Sequence, residues 1–483
     1  MGELEKYFNQ FRNNIIGIDQ TFLSPFGRKK ILYADWIASG RLYRPIERRI
    51  LDEIGPFVGN THSETSETGA LMTRAYQLSH QVIKQHVNAG ANDVIITAGF
   101  GMTAVINKFQ RILGLKAGKS YVREQERPVV FVTHMEHHSN HTSWYETTAD
   151  AVMIEPGKDL MIDPENLRRK LGEYKGRSFK IGAFTACSNV TGIRTPYFEL
   201  AKIMHEYGGV VFIDFAASAP YDEMNMHPDD PMMKLDAVMF SPHKFLGGPG
   251  SSGVLVFDKS MYHNTVPDNP GGGTVDWTNP WGKYKYADNI EAREDGGTPG
   301  FLQSIRTALC FRLKDQMGIG QIHAREKELL AIAFEGLDRI PGVRILADNE
   351  RDRLGVISFY VQGIHYNLVV QLLNDLYGIQ VRGGCACAGT YGHFLLKVSA
   401  ERSSEITEQI AKGDLSEKPG WVRWSLHPTM TDEEVRIFID ALKDITENIE
   451  RYQYRYEAVP RTNVFRHNEE KNDYRVVEKW FEL

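Results

Sequence analysis

Between about residues 90 and 260, short apolar runs alternate with stretches of helical character. Each run is almost continuously apolar over about four positions, which is typical of strands buried on both faces of a parallel sheet. The runs are Val94–Thr97, Val129–Thr133, Ile181–Phe184, Val210–Ile213, Ala237–Phe240 and Val254–Phe257. The alternation predicts an α/β fold with a mainly parallel sheet wrapped by helices.

The length of the chain suggests more than one domain. Its 483 residues exceed what a single hydrophobic core usually supports. After about residue 300 the pattern changes to long helices and isolated strands, which predicts a smaller α+β domain. We therefore expect an N-terminal arm (1–30), a large domain (31–300), a small C-terminal domain (301–450) and a C-terminal tail (451–483).

Composition excludes several classes of protein. A net charge of −6 and a pI near 6.3 argue against a broad nucleic-acid surface. No stretch has the apolar length of a membrane span, and the first residues lack the order of a secretion signal. Four cysteines are too few for a disulfide framework and suggest a reducing compartment. These features predict a cytoplasmic protein without nucleic-acid or membrane partners.

Polar clusters follow four of the predicted strands. His134–Asn140 follows the second strand, Cys187–Gly192 the third, Asp214 the fourth and Ser241–Lys244 the fifth. Each cluster alone has an ordinary explanation, such as a helix cap or a solvated side chain. Because ligands bind outside the carboxyl ends of the strands in an open α/β sheet, we expect the four clusters to meet in one crevice.

One cofactor would use these groups together. A desolvated lysine can condense with an aldehyde, and a buried carboxylate can keep a pyridine nitrogen protonated. A glycine-rich turn before a helix can bind a phosphate through backbone N–H groups. Lys244, Asp214 and Gly99–Thr103 supply these three elements. The set indicates pyridoxal 5′-phosphate, with Lys244 as its Schiff-base partner.

From about residue 31 to 440, the sequence resembles the class V aminotransferase family of fold-type I pyridoxal-phosphate enzymes. Within that family it is most similar to the cysteine desulfurases and selenocysteine lyases. The matching segments, in the family's order, are Ala98–Asn107, Glu136–Asn140, Ser188–Gly192, Ile213–Ala216, Ser241–Lys244 and Gly296–Pro299. The resemblance implies a fold-type I architecture, a pyridoxal 5′-phosphate cofactor and an amino-acid substrate.

The resemblance also implies roles for individual residues. Lys244 would form the Schiff base and move protons, Asp214 would bind the pyridine nitrogen, and His137 would stack on the ring. The other implied cofactor contacts are Asn189 at the ring hydroxyl, Thr103, Ser241 and His243 at the phosphate, and Gly101 and Met102 in the phosphate loop. No metal ligand is implied.

Three further matches concern the subunit partner and the substrate. Thr298 matches a residue that, in the family, reaches the phosphate from the neighbouring subunit, so a homodimer is implied. Arg423 matches the arginine that binds the substrate carboxylate, for which a planar guanidinium is suited. A surface arginine is the alternative, and the flanking Trp421 and Trp424 favour burial. Arg382 is the second candidate substrate ligand.

The segment Arg382–Ala388 bears on the reaction. Counted from Arg382, Cys387 falls on the nucleophilic cysteine of the desulfurases. The resemblance therefore implies removal of sulfur from L-cysteine as a Cys387 persulfide, with release of alanine. A protein that accepts the sulfur is implied but not identified by the sequence. A nearby cation should favour the reactive thiolate.

The chain departs from the desulfurase pattern at several positions. Cys385 and Ala386 stand where histidines are common, Ala217 stands where a glutamine is usual, and Met102 replaces a hydroxyl residue. The stretch 389–420 is also longer than in compact desulfurases. These departures leave open another class V reaction, namely transamination, β- or γ-elimination or epimerisation. A non-catalytic homologue is a third hypothesis.

The two neighbouring cysteines have other readings. Cys385 and Cys387 could be metal ligands together with His393, a redox pair, or two buried structural thiols. A metal site would want four ligands, and a disulfide between cysteines one residue apart would be strained. We expect no metal, and we retain the structural thiols as the main alternative.

Overall fold

The computed structural model describes residues 2–117, 119, 122–469 and 475–482. Residue 1 of the predicted N-terminal arm, and residues 470–474 and 483 of the predicted tail, lie outside the described residues. Within the described ranges, none of the helices combines the length and the apolar character that a membrane span requires.

The N-terminal segment packs against elements from the C-terminal half of the chain. Its elements are α1 (Glu3–Arg12), β1 (Thr21–Ser24), β2 (Gly27–Lys30), β3 (Leu32–Tyr33), α2 (Arg44–Arg48) and α3 (Glu67–His86). Strands β1 and β2 form an antiparallel hairpin. Strand β3 pairs in parallel with residues 379–380, and this pairing carries the following residues to the active-site region.

A seven-stranded sheet forms the centre of the described molecule. Its strands are β4 (Asp93–Ala98), β5 (Val129–Val132), β6 (Asp150–Met153), β7 (Lys180–Thr185), β8 (Val210–Asp214), β9 (Ala237–Phe240) and β10 (Gly253–Asp258). The order is β4-β10-β9-β8-β7-β5-β6, and β10 is the one strand of this sheet that runs opposite to the other six. The predicted mainly parallel sheet is confirmed. Strand β6 was not predicted, because its half-buried residues form no long apolar run.

Helices cover both faces of this sheet. They are α4 (Met102–Ile112), α5 (His138–Tyr145), α6 (Pro164–Glu173) and α7 (Tyr197–Glu206). Alternate residues of β5 point to opposite faces, so that Val130 and Val132 join the core with α4, while Val129 and Phe131 join the core with α6 and α7. This alternation explains why the strand is continuously apolar.

The expected start of α7 was wrong in one detail. The Thr195–Pro196 pair predicts a capping hydroxyl followed by proline in the first helical position. In the structure α7 begins at Tyr197, and Pro196 is the N-cap residue. The Thr195 hydroxyl instead donates to the carbonyl of Thr185 at 2.6 Å. The end of the neighbouring strand competes successfully for that hydroxyl.

The remaining elements follow the central sheet in the chain. They are β11 (Val275–Thr278), β12 (Tyr284–Tyr286), α8 (Ile290–Glu294), α9 (Phe301–Met317), α10 (Ile319–Asp338), β13 (Val343–Ile345), β14 (Val356–Val361), α11 (Tyr366–Tyr377), β15 (Ile379–Gln380), β16 (Arg382–Gly384), α12 (Gly389–Leu395), α13 (Ala400–Ala411), β17 (Trp421–Ser425), α14 (Asp432–Glu447), α15 (Ile449–Gln453), β18 (Tyr456–Val459), β19 (Val464–His467) and α16 (Arg475–Lys479). Strands β13, β14, β17 and β16 form an antiparallel sheet, and α11 packs against it. The predicted domain boundaries stay a prediction.

Candidate active site

One pocket of about 200 Å³ lies at the carboxyl ends of the parallel strands. Most of the predicted site residues line it: Lys244, Asp214, His137, Asn189, Met102, Thr103, Ser241, His243, Arg382, Arg423 and Cys387. Among the described residues of its lining, Gly101 and Thr298 are not found. The convergence expected from the strand ends is therefore observed.

Lys244 and Asp214 lie on neighbouring strand ends of this pocket. Asp214 is the last residue of β8, and one of its carboxylate oxygens accepts the N–H of Ala216 at 2.8 Å. Burial raises the pKa of Asp214 to about 6. Lys244 ends a short 3₁₀ turn after β9, and burial lowers its pKa to about 8. The attraction between the two groups opposes both shifts, so burial is the larger effect.

A cradle of N–H and hydroxyl groups surrounds the amino end of α4. The Met102 N–H donates to Ser241 Oγ at 2.8 Å, and the hydroxyls of Thr103 and Ser139 are 2.5 Å apart. Gly101 has a φ of +76°, and a Cβ atom there would lie 2.8 Å from Ser241 Oγ. A glycine is therefore required at this position. Helix dipole, N–H groups and hydroxyls together suit a phosphate.

Two uncharged histidines complete this part of the pocket. Burial lowers the pKa of His137 to about 3 and that of His243 to about 4. His137 Nδ1 accepts the N–H of Ser139 at 3.1 Å, which fixes the ring at the start of α5. A neutral, fixed imidazole is suited to stacking on an aromatic ring.

Asn189 has a buried oxygen without a hydrogen-bond partner among the described residues. Its Nδ2 donates to the carbonyl of Ala386 at 2.7 Å, while Oδ1 stays unpaired. An unpaired buried amide oxygen is unfavourable unless a ligand supplies a donor. A ring hydroxyl could supply one. The lysine, the buried carboxylate, the neutral imidazole, the phosphate cradle and this oxygen together fit pyridoxal 5′-phosphate.

Both predicted substrate arginines contact one carboxylate, that of Asp35. Arg423, on β17, is only 3 % exposed, so a surface location for it is wrong. Its guanidinium lies 2.9 Å from Asp35 Oδ1 and donates to the carbonyl of Asn189 at 3.2 Å. The half-exposed Arg382 lies 3.0 Å from Asp35 Oδ2. Sequence reasoning missed Asp35, although it closely follows the apolar run Ile31–Tyr33.

The Cys387 segment crosses the mouth of the pocket in an unusual conformation. Ala386 and Cys387 have φ values of 50° and 56°, in the left-handed region that non-glycine residues rarely adopt. The backbone N–H of His138 donates to the carbonyl of Cys387 at 2.8 Å, and the Gly389 N–H donates to His138 Nε2 at 2.9 Å. Asn189 holds Ala386, as described above. Sequence reasoning had no signal for the His138 contacts, which join residues far apart in the chain.

The two neighbouring cysteines face different surroundings. Cys387 is exposed and lines the pocket, whereas Cys385 packs against the apolar cluster of Met135, Tyr391 and Trp421. Both are free thiols, so the redox pair is not present as a disulfide. In the part of the chain that the structure describes, no group of three potential ligands could hold a metal ion. The structural-thiol alternative therefore suits Cys385 better than Cys387.

Thr298 lies away from the pocket of its own chain. Its side chain is exposed and donates to Asn60 Oδ1 at 3.2 Å. Its contact with the phosphate of a neighbouring subunit stays a prediction.

The stretch 389–420 contains α12 and α13. His141 Nδ1 of α5 lies 3.2 Å from the hydroxyl of Thr390 in α12, so the start of this stretch packs against α5.

Comparisons with known proteins agree with this geometry. A probable cysteine desulfurase of Staphylococcus aureus is 28% identical over 380 residues, which are 78% of this chain and 87% of that protein. A probable cysteine desulfurase of Staphylococcus epidermidis is 29% identical over 380 residues, with the same coverage.

Solved structures show the same fold. The apo cysteine desulfurase of Thermococcus onnurineus superposes with a TM-score of 0.73 at 22% identity, over 91% of this chain and 98% of that chain. A cysteine desulfurase of Escherichia coli superposes with a TM-score of 0.70 at 21% identity and the same coverage. The aminotransferase class-V family model matches residues 32–438. Because the match covers most of the chain, including the residues that line the pocket, this protein belongs to the aminotransferase class-V family.

Proposed function

We propose that this protein is a pyridoxal-phosphate-dependent cysteine desulfurase, which removes sulfur from L-cysteine as a persulfide of Cys387 and releases L-alanine. The observation that carries the proposal is that Cys387 lines the same pocket as Lys244 and Asp214. A reaction that needs only an amine and a carboxylate would not require an exposed thiol at that place. The similarity to probable cysteine desulfurases supports the same reaction.

Different residues would bind different parts of the cofactor. Lys244 would bind its aldehyde carbon, Asp214 its ring nitrogen, and Asn189 its ring hydroxyl. His137 would cover the ring, and the cradle at Met102 and its neighbours would hold the phosphate. When bound, pyridoxal phosphate supplies an electron-accepting ring that stabilises negative charge at the substrate Cα.

The chain's own groups would then bind the amino acid and move its protons. Arg423 and Arg382 would orient the α-carboxylate through charge-assisted hydrogen bonds. A pKa of about 8 leaves part of Lys244 as free amine near neutral pH, so that this group can take the Cα proton and return a proton to Cβ.

The sulfur transfer balances without a further reactant. The Cys387 sulfur attacks the sulfur of the substrate, an S–S bond forms, and the substrate Cβ–S bond breaks. The carbon that loses sulfur gains a proton and becomes the methyl group of alanine. The two sulfur atoms are oxidised to the persulfide level while that carbon is reduced. Arg423 and Arg382 line the same pocket as Cys387.

Two wider predictions belong to the same proposal. A homodimer would bring Thr298 of one chain to the phosphate of the other, and its exposed position supports this assignment. All four cysteines are free thiols, as expected in a reducing compartment, which supports the predicted cytoplasmic location. A protein that accepts the sulfur completes the cycle.

The test replaces each neighbouring cysteine separately in the holoenzyme. We expect Cys387→Ala to lower the release of alanine and sulfide from L-cysteine under reductant by about a hundredfold or more. Cys385→Ala is the matched control and should keep most of the activity, because Cys385 packs against the apolar cluster. Mass spectrometry should find the additional sulfur on Cys387. Full sulfide release by Cys387→Ala would refute the persulfide route and favour another class V reaction.

A further inference from the structure

Asp35 holds both arginines that face the substrate. Its two carboxylate oxygens are divided between them, Oδ1 to Arg423 at 2.9 Å and Oδ2 to Arg382 at 3.0 Å. The Asp35 side chain is only 13 % exposed and that of Arg423 only 4 %, so this pair forms largely away from water, whereas Arg382 is half-exposed. Ion pairs removed from water are stronger and more directional than surface pairs.

The position of Asp35 is fixed by backbone pairing. The Ala34 N–H donates to the carbonyl of Gln380 at 2.9 Å, and the Ser425 N–H donates to the carbonyl of Ala34 at 2.9 Å. Asp35 also forms a parallel bridge with Ser425. The N-terminal segment therefore pairs with Gln380 on one side and with Ser425 on the other, which brings the Asp35 carboxylate to the paired strands β16 and β17 that carry the arginines.

The charges at this end of the pocket can be counted. Arg382 and Arg423 each contribute one positive charge, and Asp35 contributes one negative charge. The two histidines of the pocket, His137 and His243, are neutral because burial lowers their pKa values to about 3 and about 4. The sum is one positive charge, which matches one carboxylate.

We propose that Asp35 is a specificity-determining residue, which cancels one arginine charge so that the site selects amino acids with a single carboxylate over acidic amino acids. Without Asp35, two guanidinium groups would face the substrate, enough for an α-carboxylate and a second acid group. The inference rests on the proposed function and narrows its substrate class. Asp35 also acts beyond the arginines, because its charge raises the pKa of Lys244 while theirs lower it.

The test compares the binding of two amino acids to the holoenzyme. Calorimetric titration gives dissociation constants for L-alanine, which has one carboxylate, and L-aspartate, which has two. We expect wild-type protein to bind L-alanine more tightly than L-aspartate. Asp35→Asn should raise the affinity for L-aspartate relative to L-alanine about tenfold, because one positive charge is no longer neutralised. An unchanged ratio in a folded Asp35→Asn protein overturns the proposal.

A matched control separates charge from the loss of any buried carboxylate. Asp222 pairs with Arg194 at 2.8 Å, and its side chain is 15 % exposed, close to the value for Asp35. Asp222→Asn should leave the ratio at the wild-type value, since neither Asp222 nor Arg194 lines the pocket. An equal shift in this control would assign the effect to general loosening, and would overturn the proposal.

A second variant keeps the test usable if Asp35→Asn fails to fold. Arg382→Gln leaves the buried pair of Asp35 and Arg423 intact and replaces a half-exposed side chain, so we expect it to fold. Its charge at the site falls to zero, and the ratio should shift further toward L-alanine. A folded Arg382→Gln protein with the wild-type ratio, or with a ratio shifted toward L-aspartate, contradicts the charge count.

The outcomes distinguish this inference from the proposed function. If borohydride fixes no cofactor on Lys244 and neither amino acid binds, the proposed function fails. If the holoenzyme forms and binds both amino acids with a ratio insensitive to Asp35, only the specificity role fails. Binding is measured without turnover, so the state of Cys387 does not enter the result.

Discussion

The two walls of the pocket are built in different ways. The cofactor wall consists of residues at the ends of buried strands, such as Asp214 and Ser241, where the backbone is fixed by the central sheet. The substrate wall consists of residues from β16 to β17, including the exposed Cys387 in a left-handed backbone conformation. The cofactor wall is held by the hydrogen-bond ladder of the central sheet, while the Cys387 segment between β16 and β17 is held by contacts from Asn189 and His138.

This difference suits the proposed division of labour. A cofactor that stays bound needs a fixed site, whereas a thiol that receives sulfur and passes it on needs access to solvent. Regions with few buried contacts are those that move at low free-energy cost. Variants in the cofactor wall should therefore abolish chemistry, and variants that loosen the substrate wall should change rates more modestly.

The largest effect is expected from Lys244→Ala. Removing the amine removes both the covalent attachment of the cofactor and the proposed proton transfer, so alanine formation should fall about a thousandfold or more. The visible absorption of the bound cofactor should also change, and borohydride should no longer fix it to this peptide. Unchanged turnover would show that the cofactor wall has been assigned to the wrong residue.

Lys314 offers a control for this variant. It is also buried, and burial also lowers its pKa to about 8. Its amine, however, donates to the backbone carbonyls of Ala219 and Asp222, away from the pocket. Borohydride should therefore leave Lys314 unlabelled in the wild-type holoenzyme. A shifted pKa alone would then be insufficient to make a lysine the cofactor ligand.

Asp214→Asn should have the next largest effect. An amide cannot keep the ring nitrogen protonated, so we expect alanine formation to fall about a hundredfold while the cofactor still binds. Asp236→Asn is the control, because Asp236 is 4 % exposed against 3 % for Asp214 but precedes β9 at the opposite end of the sheet. Equal losses in both variants would indicate a folding defect rather than a role at the ring.

The same contrast explains what the sequence could predict. Continuously apolar runs precede Lys244, Asp214 and Ser241 in the sequence. Because the ends of neighbouring strands in one sheet lie close together, this local sequence pattern was sufficient to predict their convergence. Asp35 and His138 act on residues hundreds of positions away, through pairings such as that of β3 with β15. Apolar periodicity carries no information on such long-range partners. The resemblance to a family supplied Arg423 and Cys387, which no local pattern would have selected.

The pH dependence of cofactor uptake tests the environment of Lys244. The neutral amine is the form that reacts with an aldehyde, and its pKa is lowered to about 8. Uptake by the apoprotein should therefore rise about tenfold from pH 7 to pH 9 and level off above that. An unshifted lysine, with a pKa near 10.4, would instead gain about a hundredfold over the same interval and continue to rise. A continued rise would show that burial does not lower the pKa of Lys244.

The smallest effect concerns how the cofactor wall holds the Cys387 segment. His138 Nε2 accepts the Gly389 N–H at 2.9 Å, so His138→Leu removes one hydrogen bond, worth about 1 kcal/mol. The segment should open more often, and the rate of Cys387 alkylation should rise about fivefold. His138→Gln keeps an acceptor near the same place and should react like wild type. If both variants alkylate at the wild-type rate, the His138 side chain does not hold the Cys387 segment, which is then held by the His138 backbone N–H and by Asn189.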